Sequence, residues 1–449
     1  MNMEGKKKFF GTNGIRGIPN EFLSIEFSMK IGQSIGEAFK SGPIAMGRDT
    51  RTSGNMIFSA VSSGIMSTGV DVIDLGILPT PALQFYCKSR GIYGVIITAS
   101  HNPPEFNGIK CIDRDGTELG DEKEMEIEDV YLNSRWKTAR WDSIGTMSPD
   151  PTAPDQYVKG IMSHIDVAAI RNMRFRVVVD SGNGASFHTT PTLLRKLGCQ
   201  VVELNSFPDG HFTSRSSEPK QENLTDLMAL MKTSRFNLGI AHDGDADRVV
   251  FIDENGNFID GDRSLSLIVK YHAAKGDVVV TPVSSSDTLD VLAESNGFRL
   301  IRTRVGAPVV SRTLISNHGK IGGEENGGVI YGKHQYCRDG AMTAGLMLDL
   351  MARTGKPVSE LVSELPHFFI FRSTVHSMNS SPSSVLGSLE GKLSDYRIDR
   401  TDGLKIYFQD GWVLVRASGT EPIIRIYGHA GSEKRAKELN RKVYDLMQK

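Results

Sequence analysis

The 449-residue chain predicts an α/β protein: three related α/β domains followed by a smaller α+β domain. Three observations carry that prediction. The length exceeds the ~250–300 residues that a single hydrophobic core supports. Helical and strand periodicities alternate in three βαβαβ-like rounds, each ending in a loop rich in polar groups. Beyond about Phe368 the pattern changes to closely spaced strands, with turns at Asp402-Gly403 and Asp410-Gly411, and then a final amphipathic helix.

In the first round, residues 26–40 read as helix, 44–46 as strand, 54–68 as helix, 70–75 as strand and 79–89 as helix. Residues 94–97 form the next strand and lead into Ser100. A polar stretch with Pro149, Pro151 and Pro154 reads as a linker. The second round has strand 175–179, helix 191–197, strand 201–204, helix 224–232 and strand 238–241, which leads to Asp243. The third has strand 278–281, helix 288–294, strand 300–303, helix 309–316 and strand 320–321, which leads to Glu324. In the last part 368–375, 404–408, 411–416 and 423–427 read as strands, and 432–447 as a helix with Ser432 as its N-cap. The implied domains are 1–150, 151–255, 256–367 and 368–449.

Composition narrows the function classes. A net charge of −1 gives no electrostatic reason to bind nucleic acid or an anionic membrane, so neither is expected as a partner. No apolar run approaches the ~20 residues of a membrane helix. The opening Met-Asn-Met-Glu-Gly-Lys-Lys-Lys has no apolar segment behind it to make a signal peptide. Cys87, Cys111, Cys199 and Cys337 lie far apart without metal-ligand spacing, and read as reduced thiols of a cytoplasmic protein.

The loops carry the chemistry. Thr98-Ala-Ser-His-Asn-Pro103 puts the Ser100 hydroxyl directly after a strand, on a turn stiffened by Pro103 and Pro104. That is where α/β sheets hold their reactive groups, although loop serines are more often N-caps or surface residues. Asp243-Gly-Asp-Ala-Asp-Arg248 alternates three carboxylates, which if extended turn to one side and demand a cation. Oxygen ligands without cysteine or spaced histidine favour Mg²⁺ over zinc. An EF-hand is excluded because Arg248 occupies its glycine position; a solvated acidic turn remains an alternative. Arg416-Ala-Ser-Gly-Thr-Glu-Pro422 sets Gly419 between the hydroxyls of Ser418 and Thr420, with the Arg416 fork beside them, an arrangement suited to phosphate or to a plain turn. Gly322-Gly-Glu-Glu-Asn-Gly-Gly328 offers Glu324 and Asn326 to sugar hydroxyls, or is an ordinary glycine-rich hairpin. Arg16, between glycines, and Lys110, on a short strand after the serine loop, supply cations where transferred phosphoryl charge needs them. Arg48 is either a third such cation or half of a structural salt bridge.

Together these loops resemble those of the α-D-phosphohexomutase family, in the family's order and over essentially the whole chain. That family shows a Thr-x-Ser-His-Asn-Pro serine loop, an Asp-Gly-Asp-x-Asp-Arg metal loop, a Gly-Glu-x-Ser/Asn-Gly sugar loop and an Arg-x-Ser-Gly/Asn-Thr phosphate loop. The resemblance implies mixed sheets in four domains around a central cleft, and a Mg²⁺-dependent exchange of phosphoryl between Ser100, as phosphoserine, and a hexose phosphate. A hexose 1,6-bisphosphate would serve as intermediate and activator. Ser100, Asp243, Asp245 and Asp247 would hold the metal, with Arg16 and Lys110 flanking the transferred group. His101 and Lys110 are the candidates for proton transfer. Arg248, Gly306, Glu324, Asn326, Arg416, Ser418, Gly419 and Thr420 would contact the substrate, and the enzyme would be a monomer or homodimer. The phosphate loop is similar to that of phosphoglucosamine mutases, with bifunctional phosphomannomutase/phosphoglucomutases using close variants. Asn13, Ala307 and the Asn326-Gly-Gly run depart from the common bacterial pattern and look more like archaeal members.

Readings from other classes compete. A haloacid-dehalogenase-type phosphatase also uses Asp-x-Asp with Mg²⁺, but wants Thr or Val where Asp247 stands, and leaves Ser100 idle. A serine hydrolase lacks its Gly-x-Ser-x-Gly elbow. A non-catalytic sugar-phosphate binder would need neither Ser100 nor the three aspartates.

Overall fold

Apolar runs between glycine- and proline-marked turns become strands, and the chain lays them into four successive sheets. The computed structural model describes residues 7–11, 13–376, 382–393, 395–417 and 423–448. In the first sheet β1 (Ile15–Gly17), β2 (Ile44–Arg48), β3 (Val72–Ile77), β4 (Gly94–Ile97), β5 (Asn107–Ile112) and β6 (Met147–Pro149) lie in the order β1-β5-β4-β2-β3-β6. β4, β2, β3 and β6 run parallel, whereas β5 turns back antiparallel to β4 and β1 antiparallel to β5. The helices Ile25–Ala38 and Gly54–Ser67 cross at glycines: a Cβ on Gly64 would stand 2.1 Å from the Met29 carbonyl oxygen.

The second sheet holds β7 (Arg176–Asp180), β8 (Gln200–Leu204), β9 (Leu238–His242), β10 (Val249–Ile252) and β11 (Phe258–Ile259), ordered β11-β10-β9-β7-β8. The third holds β12 (Val278–Pro282), β13 (Arg299–Thr303), β14 (Ile321–Gly323) and β15 (Val329–Tyr331), ordered β13-β12-β14-β15. Each mixes parallel pairs with an antiparallel return, β9 to β10 and β14 to β15. The last sheet is antiparallel throughout: β16 (Phe369–His376), β17 (Arg397–Asp399), β18 (Leu404–Phe408), β19 (Gly411–Ala417) and β20 (Ile423–Ala430), ordered β16-β20-β19-β18-β17. The fold is therefore three α/β domains with mixed sheets and a smaller α+β domain.

Two departures from the sequence reading have physical causes. The proline-marked linker is largely structured: Met147–Pro149 adds an edge strand beside β3, and Ala153–Met162 is a helix with Pro154 in its first turn, where no backbone donor is lost. The helix Gly340–Thr354, unassigned from sequence, is buried from Gly340 to Met351. As far as Met351 it is buried all round and, Thr343 and Asp349 apart, made of apolar residues and glycine, so it shows no amphipathic stripe. It sits in one core that runs from Ala45 in the first domain to Leu365 at the end of the third.

The fourth domain has its own core, including Ile406, Val413, Ile426 and Leu439, beneath the helix Glu433–Gln448, which Ser432 caps through the Arg435 N–H. Its opposite face rests on the third domain. Val283 packs with Trp412, Leu414 and Tyr427; Lys405 Nζ donates to the Val283 carbonyl at 3.1 Å, and Trp412 Nε1 to Asp287 Oδ1 at 2.8 Å.

Candidate active site

Three of the loops, and the first residue of the fourth, are tied together by side chains. β4 ends in the serine loop, whose Ser100 is 1 % exposed and sits at φ 52°, left-handed for a residue with a Cβ. A local scaffold holds that strain. Thr98 Oγ1 accepts the Ser100 N–H at 2.8 Å and donates to Asp49 Oδ2 at 2.6 Å. Arg51 Nε pairs with Asp49 Oδ2 at 3.1 Å, and the Arg51 guanidinium donates to the carbonyls of Ser100, Asn102, Pro103 and Phe106 at 2.6–2.9 Å. Held this way, Ser100 Oγ donates to Asp243 Oδ2 at 2.8 Å and lies 3.3 Å from His101 Nδ1.

The three aspartates converge, though not along an extended strand. The segment after β9 is a turn in which Ala246 takes φ 57° and its N–H returns to the Asp243 carbonyl. The three carboxylates each place an oxygen within 4.8 Å of the others, and all are buried. Each is held from one side: Asp243 Oδ1 by the Arg248 N–H at 3.1 Å, Asp245 Oδ2 by Thr80 Oγ1 at 2.6 Å and Asp247 Oδ2 by Arg338. Asp245 Oδ1 and Asp247 Oδ1 are buried without a hydrogen-bond partner. Buried carboxylate oxygens left bare beside one another fit a hard divalent cation, and the all-oxygen donor set suits Mg²⁺. Burial, with repulsion from Asp247 and Asp245, pushes the Asp243 carboxyl well above its usual range. At Asp245 burial acts the same way, but Lys110, Thr80 and Arg338 together hold the group below it.

Lys110, on β5, places Nζ 3.6 Å from Asp245 Oδ2 and 3.5 Å from Glu118 Oε1, with no hydrogen bond of its own. Arg16, on β1, donates to Asn102 Oδ1 in the serine loop and feels the charges of Asp245 and Asp247. Burial, and then the nearby Arg248, Arg16 and Arg338, lower the His101 imidazole to about 2. Arg248 lies 3.8 Å from Asp247 Oδ1, its Nε unpartnered. In the sugar loop, Glu324 Oε1 accepts the Gly306 N–H at 3.1 Å and Oε2 accepts from Arg338 at 3.1 Å, while Asn326 Oδ1 caps its own turn through the Gly328 N–H. Arg416, at the end of β19, pairs with Asp402 Oδ2 at 3.0 Å, and the same oxygen accepts the Val305 N–H. Ser418, Gly419 and Thr420 lie outside the described residues. Arg48 is not part of the cluster: it pairs with Asp74 and stacks over Phe58, the structural alternative.

Four residues that organise the site were not singled out from sequence. Nothing local separates Arg51 from Arg48 three residues earlier; Asp49, Arg338 and Asp402 gain meaning only from what folds against them.

A serine hydroxyl hydrogen-bonded to one of three converging, buried carboxylates suits cation-assisted transfer of a phosphoryl group. Comparison with known proteins agrees. The models "Phosphoglucomutase/phosphomannomutase, alpha/beta/alpha domain" I, II and III match residues 7–138, 155–256 and 260–369, and the family's C-terminal domain matches 384–446. The chain belongs to the phosphoglucomutase/phosphomannomutase family. It is 46% identical to a phosphoglucomutase/phosphomannomutase of Thermococcus kodakarensis over 96% of both chains. It is 41% identical to a probable phosphoglucosamine mutase of Methanopyrus kandleri over 98% of both, and 39% to a phosphoglucosamine/phosphogalactosamine mutase of Sulfurisphaera tokodaii over 96% of this chain and 97% of the relative. Among solved structures, a family protein of Burkholderia thailandensis superposes with TM-score 0.87 at 26% identity, covering 99% of this chain and 98% of the other. More distant N-acetylphosphoglucosamine mutase structures from Aspergillus fumigatus, at 16% and 17% identity with TM-scores 0.63 and 0.61 over 99% of this chain and 96% of theirs, share the fold; they hold glucose 1,6-bisphosphate in one case and GlcNAc-6P with magnesium in the other. No helix among the described residues is long and apolar enough to cross a membrane.

Proposed function

We propose that this phosphohexomutase converts glucosamine 6-phosphate to glucosamine 1-phosphate through a phosphoserine at Ser100 and a hexose 1,6-bisphosphate. One observation carries the phosphoserine route: Ser100 Oγ lies 2.8 Å from Asp243 Oδ2 at the edge of a carboxylate cluster with two bare oxygens; the choice of glucosamine is supported by the relatives described as phosphoglucosamine mutases. Asp243, Asp245, Asp247 and Ser100 would hold Mg²⁺, which when bound neutralises charge on a transferring phosphoryl group. The chain's own residues do the rest. Thr98, Asp49 and Arg51 aim the serine. Arg16 and Lys110 bring positive charge to the transferred group, and Lys110 and His101 are the candidates for exchanging the sugar hydroxyl's proton. Glu324, Asn326, Gly306 and Arg248 face the sugar, and Arg416 with Ser418, Gly419 and Thr420 grips the phosphate that is not reacting.

The four-domain division at 150, 255 and 367 puts one such loop in each unit; the strand spans support it, with β11 falling just past the second boundary. Four buried, unpaired cysteines support a reducing, cytoplasmic setting. A second reading, a bifunctional phosphomannomutase/phosphoglucomutase, is favoured by the 46% identity to the Thermococcus kodakarensis relative of that description.

A phosphorus NMR time course decides between them. The enzyme with Mg²⁺ and trace hexose 1,6-bisphosphate is offered glucosamine, mannose and glucose 6-phosphates separately, with Ser100→Ala as control. Conversion to a 1-phosphate that vanishes in the variant supports the phosphoserine route, and the fastest sugar names the substrate. Turnover retained by Ser100→Ala refutes it.

A further inference from the structure

Arg338 belongs to none of the sequence motifs, yet its side chain spans two of them. Nη1 donates to Glu324 Oε2 at 3.1 Å and Nη2 to Asp247 Oδ2, and the residue is 5 % exposed. Asn13, with its amide turned to satisfy its neighbours, donates to Glu118 and accepts from the same Nη2 at 3.2 Å. The backbone behind Arg338 is anchored: the next residue, Asp339, caps the buried helix 340–354 through the Met342 N–H at 2.9 Å and accepts the Tyr157 hydroxyl at 2.5 Å.

Room for this arginine comes from Gly328. A Cβ there would lie 2.3 Å from Arg338 Cδ and 3.0 Å from its Cγ. Gly327 has a left-handed φ and Gly328 does not, so the missing side chain at 328 answers to space rather than to backbone conformation. The Asn326-Gly-Gly run and the buried arginine are thus one feature seen from two places in the sequence.

We propose that Arg338 is a positioning residue that couples the carboxylate cluster to the sugar loop, so that cation and sugar phosphate each tighten the other's binding. The inference rests on reading Asp247 as a cation ligand and Glu324 as a sugar contact. With Oδ2 engaged by Arg338, the Asp247 carboxylate plane is fixed and its bare Oδ1 is presented to the other aspartates. A planar guanidinium fork is what lets one side chain fix two carboxylates; a lysine ammonium lacks that geometry. Ordering either carboxylate by its own ligand orders the fork, and through it the other, and such coupling is reciprocal.

The test uses Mn²⁺ as the probe, with free Mn²⁺ read by electron paramagnetic resonance, with and without glucosamine 6-phosphate. Wild type, Arg338→Met, Arg338→Lys and Gly328→Ala are compared, with folding checked by circular dichroism. In wild type the sugar phosphate tightens Mn²⁺ binding. In Arg338→Met the Mn²⁺ affinity falls by about tenfold or more, as for other outer partners of metal ligands, and the gain from sugar phosphate is lost. Arg338→Lys recovers only one of the two effects. Gly328→Ala, which keeps the guanidinium but displaces its stem, falls between wild type and Arg338→Met. A folded Arg338→Met whose Mn²⁺ affinity and sugar-dependent gain both stay within about twofold of wild type overturns the proposal. If Arg338→Met does not fold, unchanged coupling in Gly328→Ala overturns it. Wild type that binds Mn²⁺ with no gain from the sugar phosphate overturns the coupling but leaves the cluster's reading standing; wild type that binds no Mn²⁺ overturns both.

Discussion

Replacing Thr98 with valine removes one hydroxyl and little volume, and it strikes at how the nucleophile is held. Ser100 sits at φ 52°, a conformation that costs a non-glycine residue ~1–2 kcal/mol. Two hydrogen bonds through Thr98 Oγ1 oppose that cost, from the Ser100 N–H at 2.8 Å and to Asp49 Oδ2 at 2.6 Å. The first is a neutral bond contributing ~1 kcal/mol and the second a charge-assisted bond contributing ~2 kcal/mol. Their loss, ~3 kcal/mol, exceeds the strain they offset, so the loop relaxes and carries Ser100 Oγ away from Asp243. A displacement of ~1 Å at a reacting atom costs about 10²-fold in rate. The expected result is a kcat for the 6-phosphate to 1-phosphate conversion lowered by about that factor. Thr98→Ser keeps the hydroxyl and stays near wild type. The assay is the coupled rate under saturating hexose phosphate with trace bisphosphate. A Thr98→Val enzyme, folded by circular dichroism, with kcat within about threefold of wild type refutes the reasoning that this bond pair holds the serine.

Further outcomes follow from the same geometry. Asp245→Asn removes charge from a carboxylate whose Oδ1 is bare and whose Oδ2 is already held by Thr80. Mn²⁺ affinity is expected to fall at least about tenfold, and an unchanged titration would remove Asp245 from the ligand set. Arg416→Ala strips a charged donor from the phosphate loop, so KM for both the 6- and the 1-phosphate rises about 10- to 100-fold with kcat little changed. A fall in kcat at constant KM would place Arg416 elsewhere in the reaction. At the junction of the third and fourth domains, burial, and then Lys405 and Arg302 acting against Asp287, lower His429 from 6.5 to about 4. An unfolded chain takes up the proton first as pH falls, so the junction loses stability between pH 6.5 and 4 and levels off below. Trp412, stacked on His429 at 4.6 Å, reports the transition by fluorescence, and His429→Gln should flatten the slope; an equal slope in the variant removes His429 as its source.

Elements whose cause is local were legible in the sequence. β4 and β18 were read to the residue, because short apolar runs bounded by turn residues need no partner to be recognised. The helix Gly261–His272 and the acidic helix Asp121–Leu132 were left unassigned, and so was the helix 340–354, buried as far as Met351. The sugar and phosphate loops were recognised as polar segments at strand ends, but that Glu324 would face Arg338 and Gly306 was not visible in its neighbours.

By itself the sequence determined the alternation that makes three α/β domains and a fourth unit. It also determined the supply of reactive groups: a hydroxyl after a strand, three carboxylates in five residues, and an arginine beside a small-residue turn. Such properties depend on composition and spacing over a few residues. Only the tertiary structure decided which of those groups meet. The aspartates converge through a turn at Ala246 rather than along a strand, Arg51 and not Arg48 clasps the serine loop, and Arg338 reaches back to two loops, 14 and 91 residues earlier in the chain. Burial is the physical reason. A charged side chain closed off from water must find opposite charge or hydrogen bonds wherever the packed core leaves them, and sequence distance has no bearing on that choice.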